Sequence, residues 1–364
     1  MVDQCSNCAT IGEIIYKVCC EAFEMARYIA RRLLQAVPLL FLISLILFAL
    51  MQTVGDPVAT MGGRQPLDDA DRIRLRCQLG LDQPILTQYV FWLIGNDWTI
   101  LDTNCNGVID EGDTYGRQRG VLRGDFGNSI TDRRPVTTVI GEKVGNTLLL
   151  MVPAQALIIV IGIGIGIYSA LYQYSLMDNV MTALSYIFQS MPIFLIALIL
   201  VYTFSVNLGW LPPNGMFDPL GDRSFLDVLR HMILPVSALT LISVAGYSRY
   251  MRANMLEVLN ADYVRTARAK GLPERDINLI HALKNASLPI VTLIGLDLGS
   301  LIAGAVVTES IFAWPGMGSL FLTALGRDDY PVLMGILMLT TVSVIVFQLL
   351  TDIAYTWLDP RIRY

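Results

Sequence analysis

Apolar residues in this chain gather into long runs instead of recurring at the period of a soluble core. Six stretches, 33–54, 147–171, 180–206, 232–250, 288–308 and 332–357, each reach roughly 20 residues or more, the helical length that crosses about 30 Å of hydrocarbon. Pro38, Pro153, Pro192 and Pro235 fall inside them. Such prolines break soluble helices but are tolerated in a membrane, where neighbours re-satisfy the freed backbone groups, so kinks are expected at these positions. The pattern predicts an all-α membrane protein with six transmembrane helices. Composition agrees, since 54% of the 364 residues are hydrophobic and mean hydropathy is +0.54, too apolar for one soluble core.

Orientation follows from the basic residues of the short flanks. Arg27, Arg31 and Arg32 precede the first run, the loop at 251–287 is basic, and Arg361 and Arg363 follow the last run. With six spans these regions share one side, which the positive-inside rule makes cytoplasmic, as it does both termini. The first run is too long for a signal peptide and lacks a small-residue cleavage site, so an uncleaved anchor is expected. The chain divides into an N-terminal cytoplasmic extension (1–27), a first transmembrane helix (28–54), an extracytoplasmic subdomain (55–146) and a core of five further spans (147–364). The formal net charge of −5 says little, because lipid covers much of such a surface.

The subdomain is rich in charge and turns. Residues 72–78 are expected to be helical, and 87–94 read as a short amphipathic helix. Within it Asp102–Asp113 reads DTNCNGVIDEGD, the spacing of a calcium loop. Asp102, Asn104 and Asn106 supply oxygens at positions 1, 3 and 5, Gly107 the sharp turn, Val108 a carbonyl at 7, Asp110 position 9 and Asp113 position 12. Asp at position 12 departs from the EF-hand and is similar to dockerin-type loops. A structural calcium is one reading, and an Asx-rich turn without metal is the other. Cys77 and Cys105 are candidates for a disulfide, while Cys5, Cys8, Cys19 and Cys20 lack the spacing of a zinc site and read as reduced thiols.

The loop between the fourth and fifth runs carries the chemistry of a docking surface. Asn260 and Asp262 are candidate N-caps, 263–270 is free of Pro and Gly, Gly271 suits a left-handed helix end, and Pro273 opens a second helix with Glu274 and Asp276 in its first turn. Arg265, Arg268, Lys270, Arg275 and Lys284 make the loop positive, although charge alone would fit any solvated cytoplasmic loop. The order Arg265-Thr266-Ala267, Gly271 and Leu288-Pro289 resembles the coupling loop, often called the EAA loop, of ABC importer permeases. The missing glutamate and the long interval before Leu-Pro are similar to the dipeptide and oligopeptide branch.

Further segments carry the same resemblance: 31–58, 79–93, 122–136, 306–318, 327–332 and 358–363 look like the first of the two permeases of a dipeptide importer, and 97–119 looks like an insertion relative to it. The resemblance implies the type I ABC importer permease fold. It also implies a second homologous permease, two cytoplasmic ATPase subunits, an extracytoplasmic substrate-binding protein, a peptide-like substrate and a place in the plasma membrane of a bacterium or archaeon. In that reading Asp262, Tyr263, Arg265, Ala267 and Gly271 couple the permease to the ATPases, the small residues permitting close approach.

What is missing narrows the chemistry. The sequence holds no GxxxxGK[ST] loop, so ATP would be bound by partner subunits only, and no HExxH or GxSxG motif, so the chain reads as a non-catalytic subunit with no role in nucleic-acid binding. Gly162, Gly164 and Gly166 fit close helix packing better than a nucleotide motif. Asp297 and Glu309 are candidates for the pathway, because an ionised carboxylate in a span should face protein or water. Asp297 fits an interhelical hydrogen bond equally well, Glu309 fits anchoring of the neighbouring loop, and Asp352 fits an interhelical hydrogen bond. A secondary transporter or channel without ATPases is the alternative, and it would call for paired broken helices or buried ion ligands in both halves.

Overall fold

The computed structural model describes residues 13–54, 68–78, 80–102, 113–221 and 223–358. The chain is mostly helical. Helix α1 (Glu13–Val54) runs unbroken through Pro38 and starts well ahead of the predicted span, taking in part of the expected N-terminal extension. Helices α2 (Asp69–Gln78) and α3 (Ile85–Ile94) follow, then a two-residue ribbon of β1 (Ile100–Leu101) against β2 (Thr114–Tyr115).

Helix α3 corrects the amphipathic expectation. It is apolar nearly all round, with Ile85, Leu86, Val90 and Ile94 exposed, and its one buried residue, Tyr89, docks on the first span. The Tyr89 hydroxyl lies 2.7 Å from Ser44 Oγ, and Phe48 and Trp92 surround the ring. The region after the first span is therefore fastened to the membrane helices at this point.

The long helices are α4 (Val136–Leu171), α5 (Leu176–Ser190), α6 (Ile193–Leu200) and α7 (Phe225–Leu259). Five helical stretches are long and apolar enough to cross a membrane, and six if α5 and the α6 stretch to Asn207 count as one span. That pair is bent by 106°. Its break sits at Pro192, where Met191 is extended because the proline ring disfavours helical backbone in the residue before it. Helices α4 and α7 instead run unbroken through Pro153 and Pro235.

Helix α8 (Asp262–Ala269) lies just beyond α7, and α9 (Glu274–Asp276) widens through Ile277–Ala282 into α10 (Leu283–Ala286). The fifth predicted span is interrupted. Helix α11 (Leu288–Ser300) ends in a tight turn at Leu301–Ala303, Gly304 takes φ +78°, and α12 (Val306–Ile311) restarts. Helices α13 (Met317–Gly326) and α14 (Tyr330–Leu358) complete the described chain.

Two seams of small residues hold these helices together. A Cβ at Gly162 would stand 2.6 Å from Tyr247 Cβ, and one at Gly166 would stand 2.5 Å from Met251 Cβ, so α4 lies directly on α7. Gly164 meets nothing, which separates it from its two neighbours. The second seam was not foreseen: Gly295 and Gly299 of α11 face Thr351 and Val344 of α14. Ile158, Met251, Met255 and Ile290 fill the core beside the first seam.

Candidate functional site

The loop after α7 is built with an inner and an outer face. Asn260 closes α7, with its N–H on Glu257 and Val258 carbonyls, so it ends one helix and does not cap the next. The N-cap of α8 is Ala261, and Asp262 lies in the first turn, where the helix dipole favours its charge. Val264 and Ala267 of α8 are buried on Ile277. Ala267, at 6% exposure, is thus part of the loop's own core in this chain.

The outer face carries Tyr263, Arg265, Arg268 and Lys270, all exposed. Asn285 Nδ2 donates to the Tyr263 hydroxyl at 2.9 Å, which steers the ring from the far side of the loop. Arg268 Nε and Nη2 donate to Glu274 at 2.8 and 3.4 Å, tying α8 to α9 across the turn. Gly271 makes that turn at φ +75°, and a Cβ there would meet nothing within 4 Å. The backbone conformation, not space, calls for glycine. This is a preformed helix-turn-helix whose polar side is open.

Three polar nodes stand out among the described residues of the spans. In the first, Tyr247 of α7 donates to Asp297 Oδ2 of α11 at 2.5 Å, and Gln155 Nε2 of α4 donates to the Tyr247 oxygen at 3.1 Å. In the second, Glu309 is fully buried. Thr147 Oγ1 donates to its Oε1 at 3.0 Å and Ser319 N to its Oε2 at 3.0 Å, while Met317 N donates to Thr147 Oγ1 at 2.7 Å. A Cβ at Gly304 or Gly316 would collide with the carboxyl, at 2.5 and 2.6 Å from its oxygens, and one at Gly318 would collide with the Val306 backbone. Glu309 therefore ties the 304–319 segment to α4, the anchoring contact that the sequence also allowed for it.

Sequence reasoning missed the third node. Asp178, buried at the start of α5, receives Arg252 Nε and Nη2 of α7 at 2.9 Å each and also Tyr174 N at 2.9 Å. Ser175 and Asp178 form the S-x-x-D pattern of a capped helix start, a signal available in the sequence, although the Arg partner is not legible from it. Asp329, likewise missed, accepts from Ser129 Oγ, Ile130 N and Thr131 N and fixes that loop to the start of α14. Asp352 lies 3.3 Å from Arg32 Nε, an ion pair between α14 and α1.

Of the calcium-loop residues, Asp102 and Asp113 are described, while Asn104, Asn106, Val108 and Asp110 lie outside the described residues. Strand pairing sets Leu101 opposite Thr114, so positions 1 and 12 of the loop leave the ribbon at the same end. Among the described residues no cluster of three or more His, Cys, Asp or Glu side chains forms a metal site. Cys77 is disulfide-bonded and lies beside Asp102, its Sγ being 3.6 Å from the Asp102 carbonyl oxygen; Cys105, its expected partner, is outside the described residues.

Two family profiles match nearly the whole chain. The profile described as binding-protein-dependent transport system inner membrane component covers residues 162–364, and that of the N-terminal part of such a membrane component covers 25–151. The chain is 40% identical to the oligopeptide transport system permease protein AppB of Bacillus subtilis, over 93% of this chain and 100% of that one. It is 36% identical to the dipeptide transport system permease protein DppB of Escherichia coli K12, over 93% and 99%. The glutathione transport system permease protein GsiC of Escherichia coli O1:K1 is 34% identical over 93% and 100%. The chain belongs to the binding-protein-dependent transport system inner membrane component family.

Proposed function

We propose that the chain is the permease subunit of an ATP-driven importer for dipeptides or oligopeptides, forming half of a pathway with a second, homologous permease. The observation that carries this reading is the two-faced loop at 262–286. Its inner face, Val264, Ala267 and Ile277, packs together and against Val258 of α7, and its outer face offers Tyr263 and Arg265 to another molecule. A rigid helix held this way shifts as a unit when a partner moves it. Because α8 begins just after α7 ends, motion at the loop is passed to the span that carries Tyr247 and Arg252.

The partners follow from the same reading: two cytoplasmic ATPases, one of them on this loop, and a substrate-binding protein on the opposite side, with both termini cytoplasmic in the inner membrane. Peptide is favoured over glutathione by the relatives of higher identity, which are peptide permeases by name. The test is reconstitution with the neighbouring permease, ATPases and binding protein in liposomes. ATP-dependent peptide accumulation is expected, and accumulation without any ATPase would return the reading to a secondary transporter or channel.

We also propose that Asp102–Asp113 holds a structural calcium of modest affinity. The ribbon that brings its two ends together supports this, because it closes the loop before a cation is bound.

A further inference from the structure

Among the described residues, Asp297 is held by only one of its two carboxyl oxygens. Tyr247 donates to Oδ2, and Gln155 fills an acceptor site on Tyr247, so the single phenol proton is left to point at the carboxylate. The chain of hydrogen bonds runs in one direction across α4, α7 and α11. Gln155 and Tyr247 are buried, whereas Asp297 is partly exposed, and no hydrogen bond or ion pair within the described residues reaches Oδ1.

An ionised side chain turned into hydrocarbon is costly, which disfavours a lipid-facing position for that oxygen. Gly295 and Gly299 press α11 onto α14. Asp297, two residues from each, is rotated about 200° from that seam, toward α7. In that position Oδ1 would be free to accept from water or from a polar solute.

Resting on the peptide-importer reading, we propose that Asp297 is a specificity-determining residue that receives the ammonium or guanidinium side chain of a cationic peptide, with Tyr247 and Gln155 as positioning residues. The phenol pins one carboxylate oxygen and so fixes the direction of the other. A charge with a fixed direction discriminates between partners, where a mobile charge only attracts.

The test is ATP-dependent uptake by the complete reconstituted importer of alanyl-alanine, lysyl-alanine and glutamyl-alanine. The binding protein is the same throughout, so its own selectivity cancels when each variant is compared with the wild type. Asp297→Asn is expected to lower the lysyl-alanine to alanyl-alanine rate ratio by about tenfold, and Asp297→Glu to restore much of it. Tyr247→Phe, which keeps the charge and nearly all the volume, should lower the ratio by roughly threefold at unchanged protein abundance. If the asparagine variant fails to assemble, the phenylalanine variant decides. An unchanged ratio in Tyr247→Phe or Asp297→Asn overturns the proposal and leaves the carboxyl as a tie between helices. Failure of the wild type to accumulate any peptide overturns the peptide reading instead.

Discussion

Glu309 illustrates how much one buried side chain can fix. Its oxygens accept from Thr147 and Ser319, and three glycines give way around it. A methyl group at Gly316 would stand 2.6 Å from Glu309 Oε2 with the Thr147 hydroxyl closer still, and the backbone has little room to retreat. Gly316→Ala should therefore destabilise the protein by about 1–3 kcal/mol, the range for overpacking a filled site. Thermal unfolding of the detergent-purified protein is the measurement, and an unchanged midpoint would mean that the 304–319 segment is looser than the contacts describe. An acid at the end of an apolar run was visible in the sequence, but its partner Thr147 is 162 positions away and nothing local points to it. The burial of Ala267 was hidden for a related reason. A small residue in a docking motif fits close approach to either side, and only the position of Ile277 decides that it faces inward.

Helices were legible where length and composition act together, and less so where a single residue decides. The apolar runs located α4, α7 and α14, yet of the four prolines inside the runs only Pro192 coincides with a break between helices. A proline's missing N–H leaves one carbonyl to satisfy, and whether the helix bends depends on neighbours that periodicity does not encode. Gly271 was predictable because the demand is local, a positive φ between two short helices. Since its Cβ would meet nothing, Gly271→Asn should be nearly neutral, whereas Gly271→Val should cost roughly 1 kcal/mol or more and misalign α8 with α9. Substrate-stimulated ATPase activity of the assembled importer reads the difference, and wild-type activity in the valine variant would count against the loop as the coupling element. The calcium proposal is tested at the same scale. Calcium in the millimolar range should protect the Asp102–Asp113 segment from proteolysis in the whole protein, and Asp102→Ala should remove that protection, because the clustered carboxylates repel one another without a cation. Equal protection by magnesium, or none by calcium, would leave an ordinary polar turn.

At the scale of the whole molecule, the chain is a set of spans fastened at a few points, with one loop exposed for work. The α4–α7 and α11–α14 glycine seams, the Asp178–Arg252 pair and the Arg32–Asp352 pair join helices distant in sequence. Removing Arg252 would leave the buried Asp178 charge uncompensated, so that tie in particular favours helices moving together over helices sliding apart. The loop at 262–286 is joined to this frame on one face only, which separates the residues that hold it from the residues that meet a partner. Tyr263→Ala and Arg265→Glu alter exposed side chains, so each should leave the melting temperature of the isolated permease unchanged while weakening ATPase retention. An aromatic anchor at an interface is worth about 1–2 kcal/mol, or roughly tenfold in affinity. The arginine's share should shrink as salt rises, because exposed charges are screened beyond about 8–10 Å at 0.1–0.15 M ionic strength. Val264→Ala should do the reverse: it empties part of the inner face, lowers the melting temperature and weakens retention only through the loosened loop. Co-purification of the ATPases at two salt concentrations, set beside melting curves for the three variants, distinguishes the two faces. Retention that survives Tyr263→Ala and Arg265→Glu together would place the motor's contact elsewhere on the cytoplasmic surface.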